Sequence, residues 1–378
     1  MKILVLLPRF PYPLDKGDKL RAYHQIVELA QRHEVYLFAL SHQKVSNEQK
    51  KALQPYCKEI HIEHLSPIAC YAHVLLSFFK GQPLQLGYWT THHAQRAFNE
   101  YRCNIQPDII YRQMVRTIQY SGGGVLDFQD ALSLNTYRRM ERSHGFLKMV
   151  LKYETRTLQL AEQKALQTFD ATTIISQTDR DAISPTVNIV PNGVDTEYFN
   201  TKHITPKTRH TICFCGNMAY APNVDASRYL IEDVMPLVWA QKPNTTVLLA
   251  GADPKPAVRA LASKNVIVSA RLTDIREAYA SSQIFVAPMR IGSGLQNKLL
   301  EAMSMRLPCV TTPIAATPLG PQPPVLIGNN PAALSEHILQ LINSEELCSR
   351  LADTGHQFVQ NHYSWQAAII PLEKIIKP

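Results

Sequence analysis

Ile284-Phe285-Val286-Ala287-Pro288-Met289-Arg290-Ile291-Gly292-Ser293-Gly294-Leu295-Gln296-Asn297-Lys298-Leu299-Leu300-Glu301-Ala302-Met303 reads in three pieces. Ile284–Ala287 is a short apolar run of the kind found in strands buried on both faces, and it ends at Pro288. A turn containing Gly292 and Gly294 follows, and a helix begins near Leu295. Strand, glycine turn and helix make up the unit of a parallel α/β sheet. The turn is also suited to an anion: glycine lets backbone approach closely, and the free N–H groups and positive dipole end of a helix start favour negative charge. Arg290 and Lys298 add formal positive charge. Glu301 lies three residues after Lys298 on the same helix face, where a carboxylate can accept hydrogen bonds from two neighbouring ribose hydroxyls. Phosphate at the turn and ribose along the helix describe a nucleotide. A ligand-free reading uses the same residues, with Ser293 and Gln296 as a capping box and Lys298–Glu301 as a surface ion pair.

Outward from this segment, the same grammar repeats in both directions. Short apolar runs at Ile3–Leu7, Val35–Leu40, Glu59–Ile62, Asp108–Tyr111, Val125–Phe128, Thr172–Ile175 and Asn188–Val190 alternate with helical segments, one of them from about Lys19 to Gln31. A second series runs through Thr211–Cys215, Thr246–Ala250, Val266–Val268, Ile284–Ala287 and Cys309–Thr311. Between them, Pro191-Asn192-Gly193-Val194-Asp195 is a turn cluster, and the polar stretch Asn200 to Arg209 reads as the linker. The sequence therefore predicts two doubly wound parallel-sheet domains, 1–195 and 196–360, with 361–378 as a terminal helix. Ligands of such sheets bind beyond the carboxyl ends of the strands, which places the expected site in a cleft between the domains.

Composition agrees with a globular chain: 378 residues, 45% hydrophobic and 19% charged, which excludes disorder, collagen and a small disulfide scaffold. Cys57, Cys70, Cys103, Cys213, Cys215, Cys309 and Cys348 lack paired metal spacing and read as reduced core residues. His61 and His64 have no third ligand at motif spacing, so no metal site is expected. The longest apolar run, Ile68 to Phe79, is too short to span a bilayer, and the N-terminus lacks the features of a signal peptide. Cytoplasmic residence is the expectation. A net charge of +8 suits an anionic ligand or surface, but no aromatic-basic motif points to nucleic acid.

The 288–303 segment closely resembles the donor-site helix, G-S-G-x-x-x-K-x-L-E-A-M, of the family-4 retaining glycosyltransferases (glycosyl transferases group 1). The likeness is greatest to the exosortase/PEP-CTERM-associated sugar transferases of bacterial exopolysaccharide clusters. It extends over nearly the whole chain. Pro8-Arg9-Phe10-Pro11-Tyr12-Pro13 with Lys16-Gly17-Asp18-Lys19-Leu20-Arg21 is similar to the family's first loop, and Gly216 to Ala226 resembles the opening of its second domain. Pro191 to Asp195 with Phe199 resembles its linker, and Tyr363-Ser364-Trp365 the start of its terminal helix. The resemblance implies a GT-B fold and a retaining, metal-independent transfer from a nucleotide-sugar co-substrate, a UDP- or GDP-sugar, with no other cofactor. The implied acceptor is a carbohydrate or lipid-linked glycan. The donor-binding set it implies is Gly17, Asp18, Gly216, Asn217, Asn223, Arg271, Leu272, Arg290, Gly292, Ser293, Gly294, Leu295, Lys298 and Glu301.

Two departures from the family pattern involve three positions. Ser293 stands where many members carry a second glutamate, and Asn217 and Asn223 replace an Arg and Lys pair that holds the diphosphate. Arg290 and Lys298 are the cations left to stabilise the leaving group. On the acceptor side, Asp127-Phe128-Gln129-Asp130 resembles the family's D-F-x-D segment. Asp130, then Asp127, is the expected acceptor orienter or base, the alternative being that they cap the next helix. From Tyr137 to Tyr153, Arg138, Arg142, Lys148 and Lys152 share one helical arc, and Phe146, Leu147, Val150 and Leu151 another. Such a helix either docks on the inner face of the plasma membrane or packs its apolar side on its own domain. A non-catalytic nucleotide-sugar-binding subunit and a nucleotide-sugar 2-epimerase of the same fold are the rival functions.

Overall fold

The computed structural model describes residues 1–202, 204, 209–270, 272–291 and 294–377. The chain forms two compact units, Met1–Asn192 together with Ala368–Pro378, and Gly193–Ala367. The first unit is built on seven strands: β1 (Lys2–Leu7), β2 (Glu34–Ser41), β3 (Glu59–His64), β4 (Ile109–Gln113), β5 (Val125–Asp127), β6 (Ala171–Ile174) and β7 (Asn188–Ile189). All pairings are parallel, in the order β3-β2-β1-β4-β5-β6-β7. β1 shows why its sequence is an unbroken apolar run. Ile3, Val5 and Leu7 pack with Ala22, Ile26 and Leu29 of the helix Gly17–Ala30. Leu4 and Leu6 point the other way, toward Phe98 and Tyr101 of the helix His92–Ile105.

Several charges lie inside this unit, among them Arg21, Arg112, Asp127 and Glu162, and the pair of Arg21 with Asp127 ties the most segments together. Arg21 falls on the buried face of its helix with Ala22, Gln25, Ile26 and Leu29, and is 1% exposed. Its Nε donates to Asp127 Oδ2 at 2.7 Å, its Nη2 to the Val190 carbonyl at 2.9 Å, and its Nη1 to the Pro191 carbonyl and Asn192 Oδ1 at 3.1 and 2.9 Å. Asp127, at the end of β5, also accepts from the Tyr111 hydroxyl at 2.8 Å, from Thr173 Oγ1 at 3.1 Å and from the Gln129 amide at 3.2 Å. One guanidinium thus joins a helix, a strand end and the point where the chain leaves the unit.

The second unit repeats the plan with β8 (His210–Cys215), β9 (Val247–Ala250), β10 (Val266–Ser269), β11 (Ser282–Ala287), β12 (Cys309–Thr311) and β13 (Leu326–Ile327), all parallel. Their order is β10-β9-β8-β11-β12-β13, so the winding reverses between β8 and β11. β13 is only two residues long and has no readable sequence signal.

The boundary between units falls at Asn192/Gly193, ahead of the polar stretch expected to be the linker. Residues 193–199 already belong to the second unit: Val194 donates to the Tyr363 carbonyl at 2.7 Å, and Ser304 Oγ donates to the Phe199 carbonyl at 2.7 Å. A Cβ on Gly193 would lie 2.8 Å from the Trp365 backbone, so the outgoing and returning segments touch where only glycine fits. The helix Trp365–Ile376 returns the chain, and its Ile369, Leu372 and Ile376 enter the first unit's core. Pro206 and its neighbours 205–208 lie outside the described residues.

Two expectations need correction. The basic stretch is not one helix: Leu132–Glu141 and Gly145–Thr168 are separate, and Gly145 starts the second at φ +58°, a left-handed conformation that favours glycine. Cys103 is exposed and Cys348 half-buried, both on helices, whereas the other five cysteines are buried as expected of core residues. Among the described residues no helix is long and apolar enough to cross a membrane.

Removing one partner of a fully buried, hydrogen-bonded ion pair leaves the other charge uncompensated. Asp127→Ala is therefore expected to destabilise the first unit by about 3–5 kcal/mol, measured as a lower urea midpoint. A loss below 1 kcal/mol would show that Arg21 finds compensation elsewhere.

Candidate active site

In the second unit a cavity of about 500 Å³ opens at the carboxyl ends of β8 and β9 and along the start of the helix Asn297–Ser304. It lies at the reversal in strand order, where an open parallel sheet leaves a crevice. Backbone forms its floor. A Cβ on Gly251, just after β9, would fall 1.7 Å from the Gly216 carbonyl oxygen, and one on Gly216 would fall 2.7 Å from Asn223 Nδ2. Gly251 excludes a side chain because the loops after β8 and β9 touch directly, and Gly216 leaves the room that the Asn223 side chain occupies.

The helix begins at Asn297, two residues later than the sequence suggests. Its N-cap is Gln296, whose side chain makes no capping bond and instead lies 3.3 Å from the Gly294 carbonyl. Its first N–H groups therefore remain available beside the cavity. Gly294 sits at φ +77°, a left-handed turn that favours glycine. Gly292, Ser293 and Arg271 lie outside the described residues. Leu295 lines the cavity and Leu272 packs against the core of the unit.

Lys298 and Glu301 both line the cavity, but they do not form the surface ion pair considered from sequence. The Tyr279 hydroxyl donates to Glu301 Oε2 at 2.7 Å, and no protein donor reaches Oε1 among the described residues. Burial raises the Glu301 carboxyl, while Tyr279 and Lys298 pull it back toward the charged form. Lys298 Nζ donates to Asn223 Oδ1 and lies 5.0 Å from the centre of the Phe214 ring. Burial pushes its ammonium down to about 8, against the opposing pull of Glu301. Asn223 Nδ2 in turn donates to the Asn217 carbonyl at 2.9 Å. The two asparagines thus form a bridge that holds the lysine.

Arg290 is placed differently from its expected role beside Lys298. It does not line the cavity as described; its Nη2 and Nε reach Asp225 at 2.6 and 3.1 Å, and its guanidinium lies 4.3 Å from the centre of the Tyr229 ring. Asp225 and Tyr229 are four residues apart on the helix Ala221–Tyr229, so one face of that helix holds the arginine. Sequence reasoning did not single out Asp225 or Tyr279. The spacing of Asp225 from Tyr229 offered a weak signal, and Tyr279 offered none.

The first unit separates the two aspartates. Asp127 is fully buried, with both carboxylate oxygens engaged, which leaves no place for an acceptor hydroxyl. Its arrangement is that of a positioning residue. Asp130 follows Gln129, whose φ of +64° turns the chain, and it reaches solvent. It does not cap the next helix. The Ala131 amide donates to Asp179 Oδ1 at 3.3 Å, and the Ser133 amide to Glu162 Oε1 at 3.0 Å. Burial, then the like charges of Asp179 and Asp127, push the Asp130 carboxyl up to about 6. Gly17 opens its helix with nothing within 4 Å of where a Cβ would lie, and Asp18 is ion-paired to Arg9 at 2.8 Å.

Residues 209–344 match the glycosyl transferases group 1 family. The fold is GT-B. Over 383 residues the chain is 21% identical to an uncharacterized 44.6 kDa protein of the cps region of Klebsiella pneumoniae, covering 96% of each. It is similar in structure to HepE of Anabaena in complex with UDP, with TM-score 0.65 and 14% identity over 99% of both chains. It is also similar to WaaG, a glycosyltransferase involved in lipopolysaccharide biosynthesis, with TM-score 0.57, 15% identity, and coverage of 99% of this chain and 98% of WaaG.

Lys298 carries its charge below its lowered value and loses it as pH rises through about 8. NMR titration of the reductively methylated protein is expected to show one lysine titrating near 8, absent in Lys298→Gln. A Lys298 signal near the ordinary lysine value would contradict the burial described.

Proposed function

We propose that the protein is a glycosyltransferase that moves a sugar from a nucleoside-diphosphate sugar, with UDP favoured as the nucleotide, to a carbohydrate or lipid-linked acceptor with retention and without a metal. The observation that carries this reading is the second-unit cavity, where an uncapped helix start, a half-buried ammonium and a carboxylate with one open oxygen lie together. Lys298 and the helix N–H groups bind the diphosphate and stabilise the charge that develops as it leaves, which is the work a metal would otherwise do. Glu301 Oε1 accepts from the ribose. Asp130 takes the proton of the acceptor hydroxyl as its oxygen bonds to the anomeric carbon. The bond from that carbon to the diphosphate breaks, and its electron pair leaves with the diphosphate. UDP is favoured because the similar HepE structure holds it, and a role in polysaccharide synthesis because of the cps-region relative.

The acceptor's lipid carrier has separate support. Phe146 and Leu147 are 79% and 47% exposed instead of packed on the unit. The nearby helix Pro67–Phe79 buries only Cys70 and Ser77 and exposes Ile68, Tyr71, Leu75 and Phe79. The Tyr153 hydroxyl reaches the Phe78 carbonyl at 3.2 Å and joins the two helices. Exposed Lys148, Lys152 and Arg142 flank this apolar surface. Apolar side chains rimmed by cations match an anionic bilayer surface, and the contact is peripheral.

Calorimetry with UDP, and transfer assays in EDTA, test the enzyme reading. Glu301→Ala is expected to weaken UDP by roughly 1.5–3 kcal/mol, and Arg290→Ala by much less. Asp130→Asn is expected to keep UDP affinity and lower transfer by roughly 10²–10⁴-fold, and in the parent protein transfer should fall as pH drops through about 6 and Asp130 becomes protonated. UDP binding without any transfer or donor turnover would favour the non-catalytic subunit; donor turnover without an acceptor would favour the epimerase.

Co-sedimentation tests the membrane contact. The chain should pellet with vesicles containing anionic lipid, and Phe79→Ser with Phe146→Ser should release it. Equal pelleting of parent and variant would remove this surface from the contact.

A further inference from the structure

A second pocket, about 320 Å³, opens in the first unit where β1 and β2 end. Arg9, Lys16, Lys19 and Lys44 line it together with Tyr88 and Trp89, and no carboxylate is among the lining side chains. The nearest counter-charges serve only part of this set. Asp18 pairs with Arg9 at 2.8 Å, and Asp15 with Lys19 at 2.9 Å, with Lys16 adding a weaker pull on Asp15. Lys16 and Lys44 form no ion pair among the described residues. Cations gathered in a concave site repel one another and draw an anion into it.

Two further features fit an anion that is attached to a ring. The fourteen-residue helix Gly17–Ala30 starts at this pocket without a side-chain cap, so its first N–H groups have no side-chain acceptor. Half-buried Tyr88 supplies aromatic surface beside the cations, while Trp89 behind it is only 6% exposed and carries the guanidinium groups of Arg9 and Arg116 at 5.5 and 5.6 Å from its ring centre. A sugar ring can lie its apolar C–H face on such surface while its phosphate meets the lysines.

We propose that this pocket holds the phosphate of the acceptor, and that the acceptor class is a sugar carried on a phosphate or diphosphate. This deepens the transferase reading above and rests on it. A neutral glycan would leave Lys16 and Lys44 unmatched.

The test is calorimetry on the full chain with UDP saturating, so that the second unit's phosphate site is filled. Glucose 1-phosphate is the soluble probe, glucose linked to citronellyl diphosphate the lipid-carried one, and methyl glucoside and inorganic phosphate the controls. Both phosphorylated sugars are expected to bind more tightly than either control, and Lys16→Gln with Lys44→Gln to weaken them roughly 10- to 100-fold with the melting temperature unchanged. The tighter of the two probes identifies the carrier. Equal affinity in the parent and the double variant, no binding of either sugar phosphate, or inorganic phosphate binding as tightly as both would overturn the proposal. Failure of UDP to bind would instead defeat the donor reading, and the same titration run without UDP would still judge the pocket.

Discussion

The Arg21 guanidinium is the constraint on which the first unit is arranged. A cation at 1% exposure is tolerated only when its donors are matched, and here they are spread over Asp127, the Val190 and Pro191 carbonyls and Asn192. Those partners come from the end of β5 and from the segment that leads out of the unit. The same salt bridge that holds the helix Gly17–Ala30 on the sheet therefore fixes where the chain departs and how the 127–130 loop begins. Asp127 gives up any chemistry of its own to do this. Asp130, three residues on, remains open because Asp179 and Glu162 satisfy the amides it would otherwise cap.

The two candidate chemical groups are tuned in opposite directions by different causes. Asp130 rises to about 6 because burial and like charges disfavour its anion. Lys298 falls to about 8 because burial disfavours its ammonium. Groups displaced toward neutrality from both sides suit proton acceptance at one and charge stabilisation at the other, in the same range of pH. Each shift has a structural cost that the surroundings offset: Asn223 holds the Lys298 ammonium, and Arg21 moderates the carboxylates around Asp130.

The positions where this chain departs from the pattern it resembles have a physical reading in the second unit. Asn217 and Asn223 carry no charge, yet Asn223 spans from the Asn217 carbonyl to Lys298 and orders the half-buried ammonium at the cavity. Fewer cations held rigidly can substitute for more cations held loosely, because a preorganised charge needs no reorganisation when the leaving group develops its own. Arg290, by contrast, has its charge matched by Asp225 and its face covered by Tyr229, so it would have to give up an existing partner to meet a phosphate.

Sequence alone determined the architecture, because a strand buried on both faces must be an apolar run and a parallel strand must be followed by a crossover; Ile3–Leu7 and Ile284–Ala287 could be read as little else. It also determined the Lys298 and Glu301 pair, since three-residue spacing puts both on one helix face whatever the rest of the chain does. β13 escaped notice because Pro323-Pro324 before it and Gly328-Asn329-Asn330 after it make the segment read as a loop. The roles of Asp127 and Asp130 could not be told apart by sequence, since both stand in the same four-residue segment and differ only in what packs around them. Arg21 was a visible cation in an apolar helical face, but its partners lie 106 and 169 to 171 residues away. Arg290 turning to Asp225, Glu162 taking the capping bonds, and Lys44 meeting the basic side chains of the first loop around one pocket are likewise contacts between separate segments. Local pattern decides which elements form; only the folded chain decides which charges become neighbours, because Coulomb and hydrogen-bond energies depend on separation in space and not along the sequence.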